Sequence, residues 1–413
     1  MKILYLSPRI NAPDGSAVHG RAFVANVAKL GHAIRAHPEP ARLREVSCGG
    51  NAQERGPAYY FDKMNWKTAK RQMRKVHRYL GELIDLADGI RESRAELENV
   101  KEIVASYHPD VIVCRHSIFH FTPFWIRRLY DIPCVLEVNA IRSVETMALD
   151  RKRKVSPLTT HFENFALRNS DYFVCVSSSV KQYVDRHIDP TRSAVVCNGV
   201  DTERFDPLNF DGARVKRELG LQGKIVLGYV GSYKGWHGLG TTIDVIDLLR
   251  KNSSNYHLLL IGTGATYRQV QEKIASKGLQ NAVTQLGPIP HEEAPRYLAA
   301  FDYALMTYTA RGQFYFSPLK MFEYLAMGIP VVATAVGQIK EVIQHGETGF
   351  LVDPPIAENF AGAIAMAEND PELRERIGKN GRRLVVERYG WEANAAQVIA
   401  ACERAVAVGR QRY

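Results

Sequence analysis

The chain has 413 residues, with 54 Lys and Arg against 44 Asp and Glu for a formal charge of +10, and 46% hydrophobic residues. That length exceeds one ordinary core and predicts two domains, and no run of eighteen apolar residues is present, so no transmembrane helix is expected. Six scattered cysteines without a C-x-x-C pair argue against a zinc site or a disulfide framework and fit a reducing cytoplasm.

About +8 of the charge falls before residue 206, with basic clusters at Lys67 to Arg78 and at Arg151 to Lys154. Each cluster reads either as a solvated face or as a contact for an anionic membrane surface or an anionic acceptor. No aromatic residues interleave with them, so nucleic acid is not expected as a partner.

MKILYLSPRI opens on a compact apolar strand, Lys2 to Ser7, and not on a signal peptide. A small-residue loop holding Gly15 and Ser16 follows, then helical spacing over Val18 to Leu30 that stops at Gly31. Strand, loop and helix begin a βαβ unit, whose ligands sit at the carboxyl ends of its strands. The spacing is not G-x-G-x-x-G. Ala33 to about Asp62 reads as irregular with room for one strand, and Trp66 to Ser106 as long charged helices. Val111 to Arg115 and Cys134 to Val138 are apolar strands. The loop after the second, Asn139 to Arg142, opens on the same edge as the Gly15 loop. Phe162 to Arg168 is helical, Tyr172 to Val176 a strand, and Val180 to Arg186 a helix capped by Ser177. Asn198-Gly199 is a strong turn signal.

Residues 206–223 are polar and strand-free and read as the interdomain connection. A second alternation of strands and helices begins at Lys224 and predicts another doubly wound parallel sheet. The expected domains are therefore 1–205 and 224–390, with a final helix at about 391–413 packing back on the first. Four loops would gather on one sheet edge. These are Gly231 to Gly238 with Ser232, Lys234 and His237; Gly262-Thr263-Gly264; Gly287 to Pro290; and the stretch before Leu319. Glycines let backbone approach phosphate, and Lys234 supplies charge.

The last loop leads into the most informative stretch, residues 314–333. Ser317-Pro318 sits where a helix would be capped and pre-set, and Gly328 and Pro330 end that helix. A helix N-terminus offers unpaired N–H groups to an anion, and Glu323 lies far enough along to touch another group. The combination suggests a nucleoside diphosphate with its ribose nearby. An ordinary βα unit with normal caps accounts for the pattern equally well.

Ser317-Pro318-Leu319-Lys320-x-x-Glu323-Tyr324-x-Ala326-x-Gly328-x-Pro330-Val331-Val332 resembles the donor-site signature of the retaining glycosyltransferases of family 4, or glycosyl transferases group 1. The likeness runs on through Asn198-Gly199-Val200-Asp201 with Phe205, Gly231 to Gly238, Gly262 to Gly264, Gly346 to Val352, and Gly31-His32. It is nearly continuous from Phe162 onward and thin from Ala33 to Tyr107. The resemblance implies an α/β GT-B fold, two doubly wound Rossmann-like domains facing across a cleft. It further implies transfer, with retention, of a sugar from a UDP- or GDP-sugar to a hydroxyl acceptor, saccharide or lipid-linked, in glycan, polysaccharide or glycolipid biosynthesis. No metal and no cofactor are expected, and the protein would be cytoplasmic, with peripheral association at an anionic membrane as a weaker expectation.

By position, the resemblance gives Glu323 the ribose hydroxyls, the N–H groups around Pro318 and Leu319 the diphosphate, and Ile289 a place near the base. The donor site would also take in Gly15, Ser16, Gly231, Ser232, His237, Gly262, Gly264, Tyr315, Phe316 and Ser317. Four residues depart from the family pattern. Tyr315 stands for its first glutamate, Ser232 for an arginine, His237 for a lysine and Asn139 for a histidine near the acceptor. Lys234 is the expected replacement for the lost charge, with Lys320 second. The ordinary alternatives are a solvated Lys234 and a Lys320 paired with Glu323 three residues on. Asn139 would orient the acceptor without acting as a base. The residues assigned to catalysis are thus Lys234, Glu323 and Asn139. Of His19, His116, His161 and His237, only His237 is placed in the site. A sugar-nucleotide epimerase, a phosphorylase or a non-catalytic nucleotide-binding subunit remain alternatives, the last motivated by Tyr315 and Ser232.

Overall fold

The computed structural model describes residues 1–12, 15–40, 78–141, 157–309 and 315–410. The first half contains β1 (Lys2–Leu6), α1 (Gly15–Lys29), β2 (Ala33–His37), α2 (Arg78–Tyr107), β3 (Val111–Arg115) and α3 (Thr122–Tyr130). It continues with β4 (Cys134–Val138), α4 (Pro157–Arg168), β5 (Tyr172–Cys175), α5 (Ser178–Val184) and β6 (Ser193–Val195). The six strands form one parallel sheet in the order β2-β1-β3-β4-β5-β6. Helices cover both faces, which is why β4 and β5 are buried at every position and show no polar alternation. The irregular reading from Ala33 gives way to β2 at its start. The basic clusters at Lys67 to Arg78 and Arg151 to Lys154 lie outside the described residues, apart from the backbone of Arg78 at the start of α2.

The second half contains α6 (Gly212–Glu218), β7 (Ile225–Val230), α7 (Leu239–Asn252), β8 (Tyr256–Ile261), α8 (Tyr267–Ser276), β9 (Val283–Gly287), α9 (Ala294–Leu298) and β10 (Tyr303–Met306). Then come α10 (Leu319–Ala326), β11 (Val331–Thr334), α11 (Gly337–Val342), β12 (Phe350–Val352), α12 (Ala357–Glu368), α13 (Pro371–Arg388) and α14 (Trp391–Arg410). Its strands make a second parallel sheet, β12-β11-β10-β7-β8-β9. The direction of winding reverses between β1 and β3 in one sheet and between β7 and β10 in the other. Loops leaving those strand ends diverge to opposite faces and leave a crevice, the usual ligand position in such sheets.

Residues 206–223 carry α6 and are not a free tether. Phe205 and Leu221 are buried in the second sheet's core, and Lys216 Nζ donates to Asp302 at 2.5 Å. The chain crosses between the halves twice, side by side: Val200 N donates to Tyr389 O at 2.9 Å and Trp391 N to Val200 O at 3.2 Å. Past that crossing, α14 lies against α1, β3, β4 and β5. Its Ala395, Val398, Cys402 and Ala405 share a core with Ile3, Tyr5, Phe23 and Val27. Among the described residues the cysteines are free thiols, and no helix is long and apolar enough to cross a membrane.

Candidate active site

The two switch points face each other across a cleft of about 720 Å³. Its floor is the start of α10. Pro318 is the N-cap residue rather than the first helical position, and no side chain caps the helix. Ser317, expected as the cap, is engaged elsewhere: its Oγ accepts from Asn198 N at 3.0 Å, and its carbonyl accepts from Asn198 Nδ2 at 2.7 Å. Met321 N donates to Pro318 O at 3.0 Å, and the N–H groups of Leu319 and Lys320 are left to the cleft, where their partial positive charge attracts an anion. At the far end, Gly328 in the left-handed region (φ 65°) closes the helix, with Gly328 N and Ile329 N donating back to Leu325 O and Tyr324 O.

Lys320 and Glu323 both line the cleft from α10 but do not pair with each other. Glu323 Oε1 lies 2.7 Å from His291 Nε2. Lys320 Nζ is buried, has no hydrogen-bond partner, and sits 4.0 Å from the centre of the Tyr229 ring. Burial pushes its ammonium down to about 7, Lys234 pushes the same way, and Glu323 opposes both. A β-carbon on Gly231 (φ 132°) would stand 2.9 Å from that Nζ, so glycine is needed there for both backbone and space.

The wall from the β7–α7 loop holds Ser232, Lys234, Trp236 and His237. His237 Nδ1 is 2.6 Å from the Ser232 carbonyl and 2.7 Å from the Tyr229 hydroxyl. Burial first, then Lys320 and Lys234, push its imidazole down to about 3, so it is neutral and carries none of the charge a lysine would have brought. Lys234 is exposed, its Nζ 5.0 Å from the centre of the Trp236 ring. Trp236 in turn stacks on Phe316, centroids 6.0 Å apart. Ile289, Pro290 and His291 close the cleft beyond Glu323. Burial alone would lower the His291 imidazole, but the hydrogen bond and charge of Glu323 raise it.

Across the cleft, Gly15 begins α1 so close to α10 that a β-carbon there would stand 2.8 Å from Leu319 Cδ1. Asn139 lines the cleft and donates its amide to Glu137 Oε1. Glu137 is 3% exposed inside β4. It is held by Tyr5 Oη, donating at 3.2 Å to Oε2, and by His19 Nε2 at 2.9 Å and Arg115 at 3.6 Å from Oε1. Burial would raise this carboxyl, yet His19, Arg115 and Asn139 hold it well below the usual range. His19 Nδ1 donates to Asn198 Oδ1 at 2.9 Å, linking this cluster to Ser317 and the start of α10.

The cleft thus brings together Gly15, Asn139, Gly231, Ser232, Lys234, His237, Ile289, Phe316, Ser317, Pro318, Leu319, Lys320 and Glu323. Ser16 lies in the first turn of α1, and its side chain is outside the described residues. Three expected residues do not line the cleft. Gly262 and Gly264 lie behind it, where a β-carbon would strike the Gly231 carbonyl and the Tyr233 backbone, so they shape the neighbouring loop. Tyr315 points away altogether: 1% exposed, it is buried in the first domain's core, and its carbonyl accepts from Ser177 Oγ at 2.8 Å. An aromatic ring is more stable in that apolar core than at a wet rim. Residues that sequence reasoning did not place include His291, Asn198, Trp236 and Glu137. The signal for Glu137 was a lone carboxylate within the apolar run Cys134 to Val138. Among the described residues no group of three His, Cys, Asp or Glu side chains could hold a metal ion.

Two family models match in succession: "Glycosyltransferase Family 4" over residues 13–204 and "Glycosyl transferases group 1" over residues 213–384. D-inositol 3-phosphate glycosyltransferase of Corynebacterium glutamicum is 28% identical over 68% of this chain and 69% of its own. The lipopolysaccharide core biosynthesis mannosyltransferase of Rhizobium meliloti is 26% identical over 80% of this chain and 92% of its own. Among solved structures, Anabaena HepE in complex with UDP and glucose aligns with a TM-score of 0.68 at 17% identity, covering 98% of this chain and 99% of that one. Sucrose-phosphate synthase from Thermosynechococcus elongatus aligns with a TM-score of 0.71 at 20% identity, covering 97% and 98%. With one model on each domain and both sheets in the same arrangement as these structures, the chain belongs to the family 4, group 1 glycosyltransferases and has the GT-B fold.

Proposed function

We propose that this glycosyltransferase takes its sugar from a nucleotide-diphosphate sugar, a UDP- or GDP-sugar, and passes it with retention to a hydroxyl of a saccharide or lipid-linked acceptor. The observation that carries the reading is the uncapped start of α10, which opens on the cleft with Lys320 and Glu323 on the cleft side. A diphosphate meets the N–H groups of Leu319 and Lys320 and the Lys320 ammonium, with the exposed Lys234 adding charge from the facing loop. The ribose then falls one turn further on, where Glu323 offers its free oxygen while His291 holds the other. The base lies against Ile289 and Pro290. Relatives support the donor class: one is a GDP-mannose-dependent mannosyltransferase, and HepE was crystallised with UDP-glucose.

In the transfer, the bond between C1 and the diphosphate oxygen breaks with its electron pair going to that oxygen. The acceptor oxygen bonds to C1 on the same face, and its proton passes to the departing phosphate. Such a step depends on stabilising the leaving group more than on a strong base. In this reading Asn139, which donates to Glu137 and lines the cleft, orients the acceptor hydroxyl. The test is nucleotide release from UDP- and GDP-sugars by purified protein with a panel of acceptors. Release that depends on acceptor, with an unchanged anomeric configuration in the product, is the expected result; neither binding nor release of any nucleotide would overturn the reading. Binding without release across the panel would instead favour a nucleotide-binding subunit.

A further inference from the structure

Lys320 is unlike the other cations of the cleft. Lys234 is exposed to solvent, Arg21 on α1 is partly exposed, and Arg115 has Glu137 beside it. The Lys320 amine is out of contact with solvent, makes no hydrogen bond, and packs on the face of the Tyr229 ring beside Gly231. Its surroundings come from three elements: Tyr229 on β7, Lys234 and neutral His237 on the following loop, and Glu323 one turn along α10. The nearest carboxylate is committed to His291. A buried ammonium with no hydrogen-bond partner is costly even over a ring face and sheds its proton instead. A bound diphosphate diester brings two negative charges to the same spot and restores the ammonium.

We propose that Lys320 is the principal cation for the donor's diphosphate and that it gains its charge on binding, so that the donor and one proton enter the cleft together. This rests on the nucleotide-sugar reading above and adds a device to it. The empty cleft avoids holding an uncompensated charge, and the charge is present when the leaving group needs it. The amine's drop to about 7 in the empty cleft sets the pH window. Below about pH 6 the lysine is already charged and no proton is taken up. Near pH 8 uptake approaches one proton, and donor affinity falls about tenfold for each further pH unit.

The experiment is titration calorimetry of the full chain with UDP-glucose and GDP-mannose, in buffers of different ionisation enthalpy at pH 6 and pH 8. Both are diphosphate diesters that do not themselves titrate in this range. The expected result is uptake of nearly one proton at pH 8 and little at pH 6, lost in both Lys320→Met and Lys320→Arg. The arginine variant is always charged, so its affinity stays flat with pH. Lys320→Met removes an unpaired buried amine and should melt no lower than wild type. Binding without proton uptake at pH 8, or uptake that persists in Lys320→Met, overturns the proposal while leaving the donor reading intact. Absence of binding by either nucleotide sugar at both pH values removes the donor reading and this proposal with it.

Discussion

Tyr315→Ala tests whether the residue at the family's first glutamate position serves the core or the cleft. An aromatic side chain buries roughly 150–250 Å² on folding, which at ~25 cal/mol per Å² is about 4–6 kcal/mol. That is an upper figure, because the unfolded chain already hides part of the ring. Large-to-alanine changes in packed cores cost about 3–5 kcal/mol, and at 1% exposure Tyr315 belongs with them. The hydrogen bond from Ser177 goes to its backbone carbonyl and survives the change, so most of the loss comes from the ring. Urea denaturation followed by tryptophan fluorescence, with nucleotide binding measured alongside, is the assay. Tyr315→Glu, which restores the family's residue, should destabilise at pH 7 and recover in acid as the buried carboxyl becomes neutral. If Tyr315→Ala unfolds within about 1 kcal/mol of wild type, or Tyr315→Glu keeps full stability and tightens donor binding, the side chain faces the cleft and the reasoning is wrong.

Glu137→Ala leaves His19 and Arg115 beside an empty buried site and should cost about 3–5 kcal/mol by chemical denaturation. Because the folded-state pKa of Glu137 is depressed, its contribution is present above the unfolded carboxyl value and is lost as pH falls below it. Glu137→Gln should therefore differ from wild type more at pH 7 than at pH 3. If Glu323 holds the donor hydroxyls, Glu323→Ala should weaken nucleotide-sugar binding roughly tenfold to hundredfold; unchanged affinity would deny Glu323 that role. His291 has a raised folded-state pKa, so its contact with Glu323 stabilises fully below the ordinary value near 6.5 and is lost as pH rises through the folded one. The melting temperature of His291→Gln should accordingly fall short of wild type by more at pH 6 than at pH 9.

The hydrogen bonds of Asn198 explain why the loop before α10 is held by both halves of the molecule. From Glu137 inside β4 the contacts pass to His19 on α1, from His19 to Asn198, and from Asn198 to both the hydroxyl and the carbonyl of Ser317. Tyr315, two residues earlier, is packed in the first domain's core. The backbone that delivers α10 to the cleft is thus held by the first domain although the helix belongs to the second sheet. The start of α10 and Asn139 on the facing wall therefore share one hydrogen-bonded frame.

The fold was legible because its signals are local. Apolar β-branched runs gave the strands of both sheets, and Gly31, Gly328 and Asn198-Gly199 marked stops and turns within a few residues of where the chain bends. The start of α10 was legible for the same reason, since a helix N-terminus is an anion site whatever surrounds it. What could not be read is set by partners far along the chain. Ser317 looked like a cap because serine usually caps the helix it precedes, but Asn198, 119 residues away, takes its hydroxyl. Lys320 and Glu323 have the spacing of a helical ion pair, but His291 in a separate loop engages the glutamate and the Tyr229 ring covers the lysine. Tyr315 sits at a donor-site position in the sequence and in the opposite domain's core in space. In each case the local rule named a competent interaction and a tertiary competitor replaced it. Of the four departures from the family pattern, Tyr315 falls at such a position, where the first sheet's core holds the residue and the cleft does not.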